Sequence, residues 1–377
     1  MPIGSDKGFI VKPGFDPLAT QTSLSSSDVF SWGWNFRGQL GLGDTVDRSS
    51  PVQVGITEWL TASGGYNWAG AIKNNNTLWT WGNNSAGQLG NGTTGSVFST
   101  PIQVGVYTNW SQIAAGANDG VAIKTDGTLW TWGQNAMGAA GQGTTGVVNT
   151  PAQVGALTTW ATVTGGFYCS YGIKTDGTLW SWGYNAQGRL GDGTTVDKSS
   201  PVQVGALTTW LNITAGYGWA VAIKTDGTLW AWGKGVHGAL GQGNVNDYSS
   251  PVQIGALTTW LKLASGAYHV LATNTAGQLY AWGTNDYGGL GQGNTTNTQS
   301  PVQVGALTTW DKIAGGPYAS YAIKTDGAFW SWGYNHKGQL GVGNTTNYSS
   351  PVQIGALTAW SFLPKMSQSY GVLALQF

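Results

Sequence analysis

Few side chains in this sequence are placed to do chemistry. Its three histidines, His237, His269 and His336, are too far apart in sequence for any metal-ligand spacing. The single cysteine, Cys169, has no base beside it and reads as a partly buried small residue, not a nucleophile. Glu58 is the only glutamate, so no carboxylate pair for general acid/base work is visible. Asp126, Asp176, Asp226 and Asp326 each precede glycine and read as turn residues. The glycine-rich stretch Gly38–Asp44 lacks the Lys-Ser/Thr and the strand-loop-helix setting of a phosphate loop. No enzyme activity, cofactor or metal is expected.

What the chain offers instead is aromatic surface for binding. Of 22 tryptophans, all but Trp34, Trp68 and Trp219 fall on repeated positions. Those three lie in segments that differ from copy to copy, as do Tyr66, Asn67, Asn118, Asp119, Phe167, Tyr168, Tyr217, Tyr268, His269 and Tyr318. These thirteen residues are the expected contact set, because Trp and Tyr give large rigid area at small entropic cost.

The elements that must position them follow from a repeat of fifty residues. Prolines stand at 51, 101, 151, 201, 251, 301 and 351, and Trp-Gly pairs begin at 32, 81, 132, 182, 232, 282 and 332. A further tryptophan series runs 59, 110, 160, 210, 260, 310 and 360. Leu229-Trp230-Ala231-Trp232 puts rings at alternate positions, which is strand periodicity, and Asp226-Gly227 before it signals a two-residue hairpin. Four apolar strand candidates per copy fit a propeller blade. The fold expected is all-β, a seven-bladed β-propeller with four-stranded blades.

The last copy stops after 370–377, and residues 28–33 supply its missing strand, so the two ends should pair and close the ring. Small residues before Ile (Ala71, Ala122, Gly172, Ala222, Ala322), with Ala272 and Gly371 as counterparts, mark the strand expected nearest the axis. Strand alternation puts both variable loops on one face and the Lys-Thr-Asp-Gly hairpins on the other. Five lysines there (73, 124, 174, 224 and 324) form either a cationic ring or a solvated rim.

Ser331-Trp332-Gly333-Tyr334-Asn335 followed by Gly338-Gln339-Leu340-Gly341 resembles the RCC1 repeat signature, and the resemblance covers everything after residue 27. It implies the propeller fold. It also implies a choice of roles: nucleotide exchange on chromatin, inhibition of an enzyme through one face, or a place in bacterial surface and bacteriophage virion proteins. The sequence departs from the exchange factors, having no basic tail, no inserted wedge and only His269 in the Gly-x-x-His segment.

Charged residues are 8% of the chain and net charge is zero, against about 25% charged in ordinary globular chains. Neither nucleic acid nor membrane insertion is expected, since capture by phosphates needs clustered Lys and Arg and no stretch is long enough to span a bilayer. Residues 1–27 lie outside the repeat and have no signal-peptide core. With Phe9, Ile10, Val11, Phe15 and Leu18 broken by Pro13 and Pro17, they read as an extended anchoring arm. The expectation is a virion component with protein partners, held to other virion proteins by the arm, its aromatic face meeting a host-surface protein or glycan. The alternative is a free inhibitor or regulator in the bacterial cytoplasm or at the cell surface.

Overall fold

The computed structural model describes residues 28–55, 58–364, 366 and 369–376. The expected anchoring arm, residues 1–27, lies outside the described residues. Seven four-stranded antiparallel sheets follow one another around an axis. In chain order they hold residues 59–103, 110–153, 160–203, 210–253, 260–303 and 310–353, numbered here as blades one to six. The seventh joins Trp360–Phe362 and Gly371–Gln376 to Asp28–Gly33 and Arg48–Gln53. Asp28 pairs with Gln376 and Gly33 with Gly371, so the two ends of the repeat close the ring as expected.

Blade four shows how the repeat becomes a sheet. Its strands are Trp210–Ala215, Trp219–Lys224, Leu229–Gly233 and Tyr248–Gln253. From blade one to blade six the first strands touch one another in turn, and so they are the innermost. This corrects the placing of the Ala-Ile-Lys strand nearest the axis: it is second. Its small residues make room for the first-strand tryptophan, as at Gly172, where a methyl group would lie 2.6 Å from the Trp160 ring. Pairing also assigns Ala374, opposite Phe30, to this register in the last blade; Gly371 is aligned with Ala319.

The hairpin differs from the two-residue expectation. Lys224 N–H donates to Thr228 O and Gly227 N–H to Lys224 O, enclosing a three-residue loop with only Gly227 at positive φ (+76). A side chain there would run into Thr258 O, 2.2 Å from the Cβ position. Asp226 Oδ1 accepts from Thr228 N–H at 2.9 Å, and Thr228 Oγ1 accepts from Trp230 Nε1 at 2.8 Å, so turn and strand are tied together.

Between blades the recurring bond is an indole staple. Nε1 of Trp32, Trp81, Trp132, Trp182, Trp232, Trp282 and Trp332 donates to a carbonyl of the preceding blade at 2.8–3.1 Å. All seven rings are fully buried. The accepting turn needs a glycine: Gly141 has φ +68, and a methyl group on it would stand 2.9 Å from the Trp182 indole nitrogen. The first-strand tryptophans behave otherwise. Their Nε1 atoms are buried without an acceptor, and each ring is instead held edge-on by others, as Trp210 is by Trp230 and Trp232 at 6.3 and 6.0 Å.

Losing a staple should cost more than losing ring area alone. Trp182→Phe orphans the buried Ala139 carbonyl, and the expected loss is about 1–3 kcal/mol. Trp180→Phe, at a half-buried ring bonded only to Thr178 in its own turn, should cost less. Urea denaturation of both variants checks this; equal losses would remove the staple from the account.

Candidate binding face

The two variable loops of each blade lie on one face and are bonded together there. Lys234 N–H donates to Gly218 O at 2.9 Å, Tyr184 N–H to Tyr168 O at 2.8 Å and Gln134 N–H to Asn118 O at 2.9 Å. The second loop is itself clasped by an asparagine: Asn335 Oδ1 accepts from Leu340 N–H at 2.8 Å while Nδ2 donates to Thr346 O at 2.8 Å. This clasp gives the Trp-Gly-x-Asn…Leu-Gly signature its physical content, because one amide satisfies backbone groups that the tight loop cannot pair with itself.

On that face the aromatic loop residues form a collar. Phe167, Tyr217, Tyr268 and Tyr318 follow one another with ring centroids 4.2, 5.5 and 4.7 Å apart. Tyr168 packs on Phe167 at 4.2 Å. On the far side Tyr66 meets Tyr370 at 5.7 Å, and Trp34 meets Tyr370 at 5.5 Å. Tyr66 and Tyr217 are each 38% exposed, so rings and hydroxyls are available. Burial and neighbouring tyrosines hold the Tyr318 and Tyr370 hydroxyls well above the usual range, so they stay protonated and can donate. The collar is interrupted at blade two, where Asn118 bonds Gln134 at 3.1 Å and Asn67 of blade one leaves a buried Oδ1 unpartnered.

Four expected contact residues are not on this surface. Trp68, Trp219, Asp119 and His269 are no more than 2% exposed. Each opens a second strand, where the side chain turns inward and crosses to the next blade. Trp68 Nε1 donates to Gly116 O at 3.2 Å, and His269 Nε2 lies 2.7 Å from Ser320 Oγ. Asp119 oxygens make no hydrogen bond of ordinary length; the Ser170 hydroxyl, also without another partner, is the polar group beside them. Burial pushes the Asp119 carboxyl up to about 8, and His269 down to about 4, so each is neutral in the ring near neutrality. Cys169 shares this register, is buried, and has its thiol pushed up to about 11 by burial.

The expected contact set leaves out Tyr370, Tyr287 and Arg189, and also Tyr334 and Phe36, which lie in the second variable loop. Tyr370 sits in the shortened last copy, and Tyr287 one position along the second loop, joining the collar through Tyr318 at 5.2 Å and Tyr334 at 4.9 Å. A signal for the buried set did exist. In the register following Trp68, Asp119, Cys169, Trp219 and His269, the only hydroxyls among Ala69, Gly120, Ser170, Ala220, Val270, Ser320 and Val372 stand opposite Asp119 and His269.

The opposite face is nearly uniform. Its lysines form neither a free cationic ring nor a solvated rim: Lys124, Lys174 and Lys224 are buried, with Nζ 3.6–3.7 Å above the rings of Trp130, Trp180 and Trp230. Exposed there are the leucines of the Gly-Ala-Leu-Thr turns, such as Leu207 and Leu257.

A family model described as the Regulator of chromosome condensation (RCC1) repeat matches residues 26–72, 75–123, 176–223, 226–273, 276–323 and 326–363. The Ultraviolet-B receptor UVR8 of Arabidopsis thaliana is 32% identical over 129 residues, 33% of this chain and 29% of the receptor. The probable E3 ubiquitin-protein ligase HERC6 of Homo sapiens is 37% identical over 128 residues, 32% of this chain and 12% of the ligase. The chain thus spans less than a third of the length of these relatives. Among solved structures, that of Kap60 bound to yeast RCC1 (Prp20) superposes with a TM-score of 0.85 at 19% identity, covering 100% of this chain and 96% of that one. Human WBSCR16 gives 0.84 at 19%, covering 93% and 100%. At such identity the likeness concerns the fold.

Two outcomes follow from the buried register. Trp68→Ala and Trp219→Ala should each cost about 3–5 kcal/mol of stability as large-to-small changes in a packed interior. Thermal melting checks this, and unchanged melting would return both rings to the surface. Asp119 holds a proton in the folded chain that the unfolded chain, with a value near 3.8, has released; its contribution is therefore lost as pH rises toward 8. His269 slopes the other way only between about 4 and 6.5. From pH 6.5 to 8 stability should fall, by at most about 1.4 kcal/mol per pH unit. Asp119→Asn should flatten that segment of the stability curve.

Proposed function

The chain belongs to the RCC1 repeat family, and from that premise we propose that it is a non-enzymatic protein-binding module whose contact surface is the aromatic collar. The observation that carries this reading is the run of touching loop rings on one face, Phe167, Tyr217, Tyr268 and Tyr318 with Tyr66 and Trp34 on Tyr370, while the other face repeats a leucine turn almost unchanged, Tyr107 being the exception. Such rings supply rigid apolar area and a polar tip together, the chemistry of protein interface centres. A surface kept only for solubility would carry charge there instead.

The setting attached to this reading is a larger assembly, a virion being the one that the Asn-, Thr-, Ser- and Gly-rich repeats suggest. In that setting residues 1–27 join neighbouring proteins and the collar faces outward. Co-sedimentation of the chain with purified virus particles tests it, and its absence from particles would discard the virion.

The collar itself is tested in the organism that makes the chain. A photocrosslinking residue placed at Tyr217 or Tyr268 should give discrete crosslinked proteins, while one at Leu207 or Leu257 on the opposite face should not. The reverse pattern would move the contact to the leucine turns. Tyr217→Ala with Tyr268→Ala should weaken the contact by about 2 kcal/mol or more while leaving the melting temperature nearly unchanged.

A further inference from the structure

Between blades four and five the collar encloses a cleft of about 160 Å³, with Tyr217, Gly218, Lys234, His237, Tyr268 and Thr284 in its walls. One wall atom has nothing to bond. Thr284 is 6% exposed, and its Oγ1 is buried without a partner. Buried hydroxyls are nearly always satisfied, so this one, on a residue of the cleft wall, is a donor left without an acceptor.

The charge around the cleft is unbalanced. Lys234 takes part in no ion pair among the described residues. Arg189 is 4% exposed, and its guanidinium meets only Phe167 O at 3.3 Å, Ala186 O at 3.1 Å, Gln187 Oε1 at 3.1 Å and the Tyr184 ring at 4.3 Å. Among the described residues no carboxylate pairs with it. Both side chains border Gly218: a methyl group there would stand 3.5 Å from Arg189 Nη2 and 3.5 Å from Lys234 Cβ. The acid in the cleft wall, Asp286, is exposed and screened by water, whereas Arg189 acts from the interior, where fields are less damped.

We propose that this cleft receives a carboxylate side chain of the protein partner, an Asp or Glu next to an apolar residue. The proposal rests on reading the collar as a protein contact. The carboxylate accepts from the Thr284 hydroxyl and the Lys234 ammonium, with the Arg189 charge behind, and the apolar neighbour packs on Tyr217 and Tyr268. An ammonium or guanidinium in the same place would face two like charges with only the screened Asp286 in compensation.

Short random peptides displayed on phage and panned against the full chain test both layers. The expected pool is enriched in Asp or Glu beside an apolar residue and is lost on Tyr217→Ala with Tyr268→Ala. For a synthetic peptide from that pool, Lys234→Gln and the peptide's own carboxyl-to-amide change should each weaken binding about tenfold and should not be additive. Thr284→Val should weaken it with melting unchanged. Added salt should weaken the parent protein more than Lys234→Gln. A pool that depends on Tyr217 and Tyr268 but shows no acidic enrichment would overturn the carboxylate and leave the collar standing. Failure to recover any peptide that depends on those tyrosines would overturn both.

Discussion

The structure depends on seven bonds between an indole N–H and a backbone carbonyl, one at each junction between blades. A blade alone is a single small sheet with both faces bare, covered only when neighbours pack on either side, and is too small to be stable by itself. The staple fixes how far each sheet may slide or tilt against the next, because a hydrogen bond tolerates only a few tenths of an ångström. It also fixes sequence at its acceptor end. The turn that offers the carbonyl needs a glycine under the incoming indole, and in six of the seven blades an asparagine clasps it, as Asn335 does for the turn before Leu340, Gly235 standing at that position in blade four. That clasped turn is the base of the second variable loop. The recognition surface is therefore mounted on the same device that holds the ring together, and its loops can vary while their footings do not.

The two faces treat their lysines differently. On the hairpin face the ammonium groups lie on indoles, an arrangement favourable through the ring quadrupole. Desolvation lowers the values of Lys73, Lys124, Lys174 and Lys224, consistent with withdrawal from water. The pairing is legible inside the sequence. Where the third-strand tryptophan becomes Tyr280 or Phe30, the lysine has become Asn274 or Gln376. On the collar face no indole captures Lys234, and its charge remains free to act on a partner.

Fold and closure were readable because the repeat prints its constraints seven times: strand alternation, turn glycines and the split last copy each admit one assembly. The collar was half readable. Variation between copies marked the right loops, and Tyr66, Tyr217, Tyr268 and Tyr318 are on the surface. Variation did not separate surface from junction, however. Trp68, Asp119, Cys169, Trp219 and His269 differ because each fills a gap whose other wall also differs, and the compensating Ser170 and Ser320 lie a whole repeat away. Arg189 was hidden for the same reason, since its register elsewhere holds Gln39, Gln88, Ala139 and Gly289 and nothing local marks it as buried.

The seventh blade has a consequence in time. Two of its strands come from near the start of the chain and two from the end, and Trp32 bonds a carbonyl 307 positions away. During synthesis six sheets can form and staple in sequence, but Asp28–Gly33 has only Arg48–Gln53 beside it, and its other edge stays open until Gly371–Gln376 emerges. Throughout that interval an open strand and an unpaired indole travel together at one end of a growing arc. Productive closure is then a race between the chain's own last strand and any other edge within reach, including the same edge on a second nascent copy.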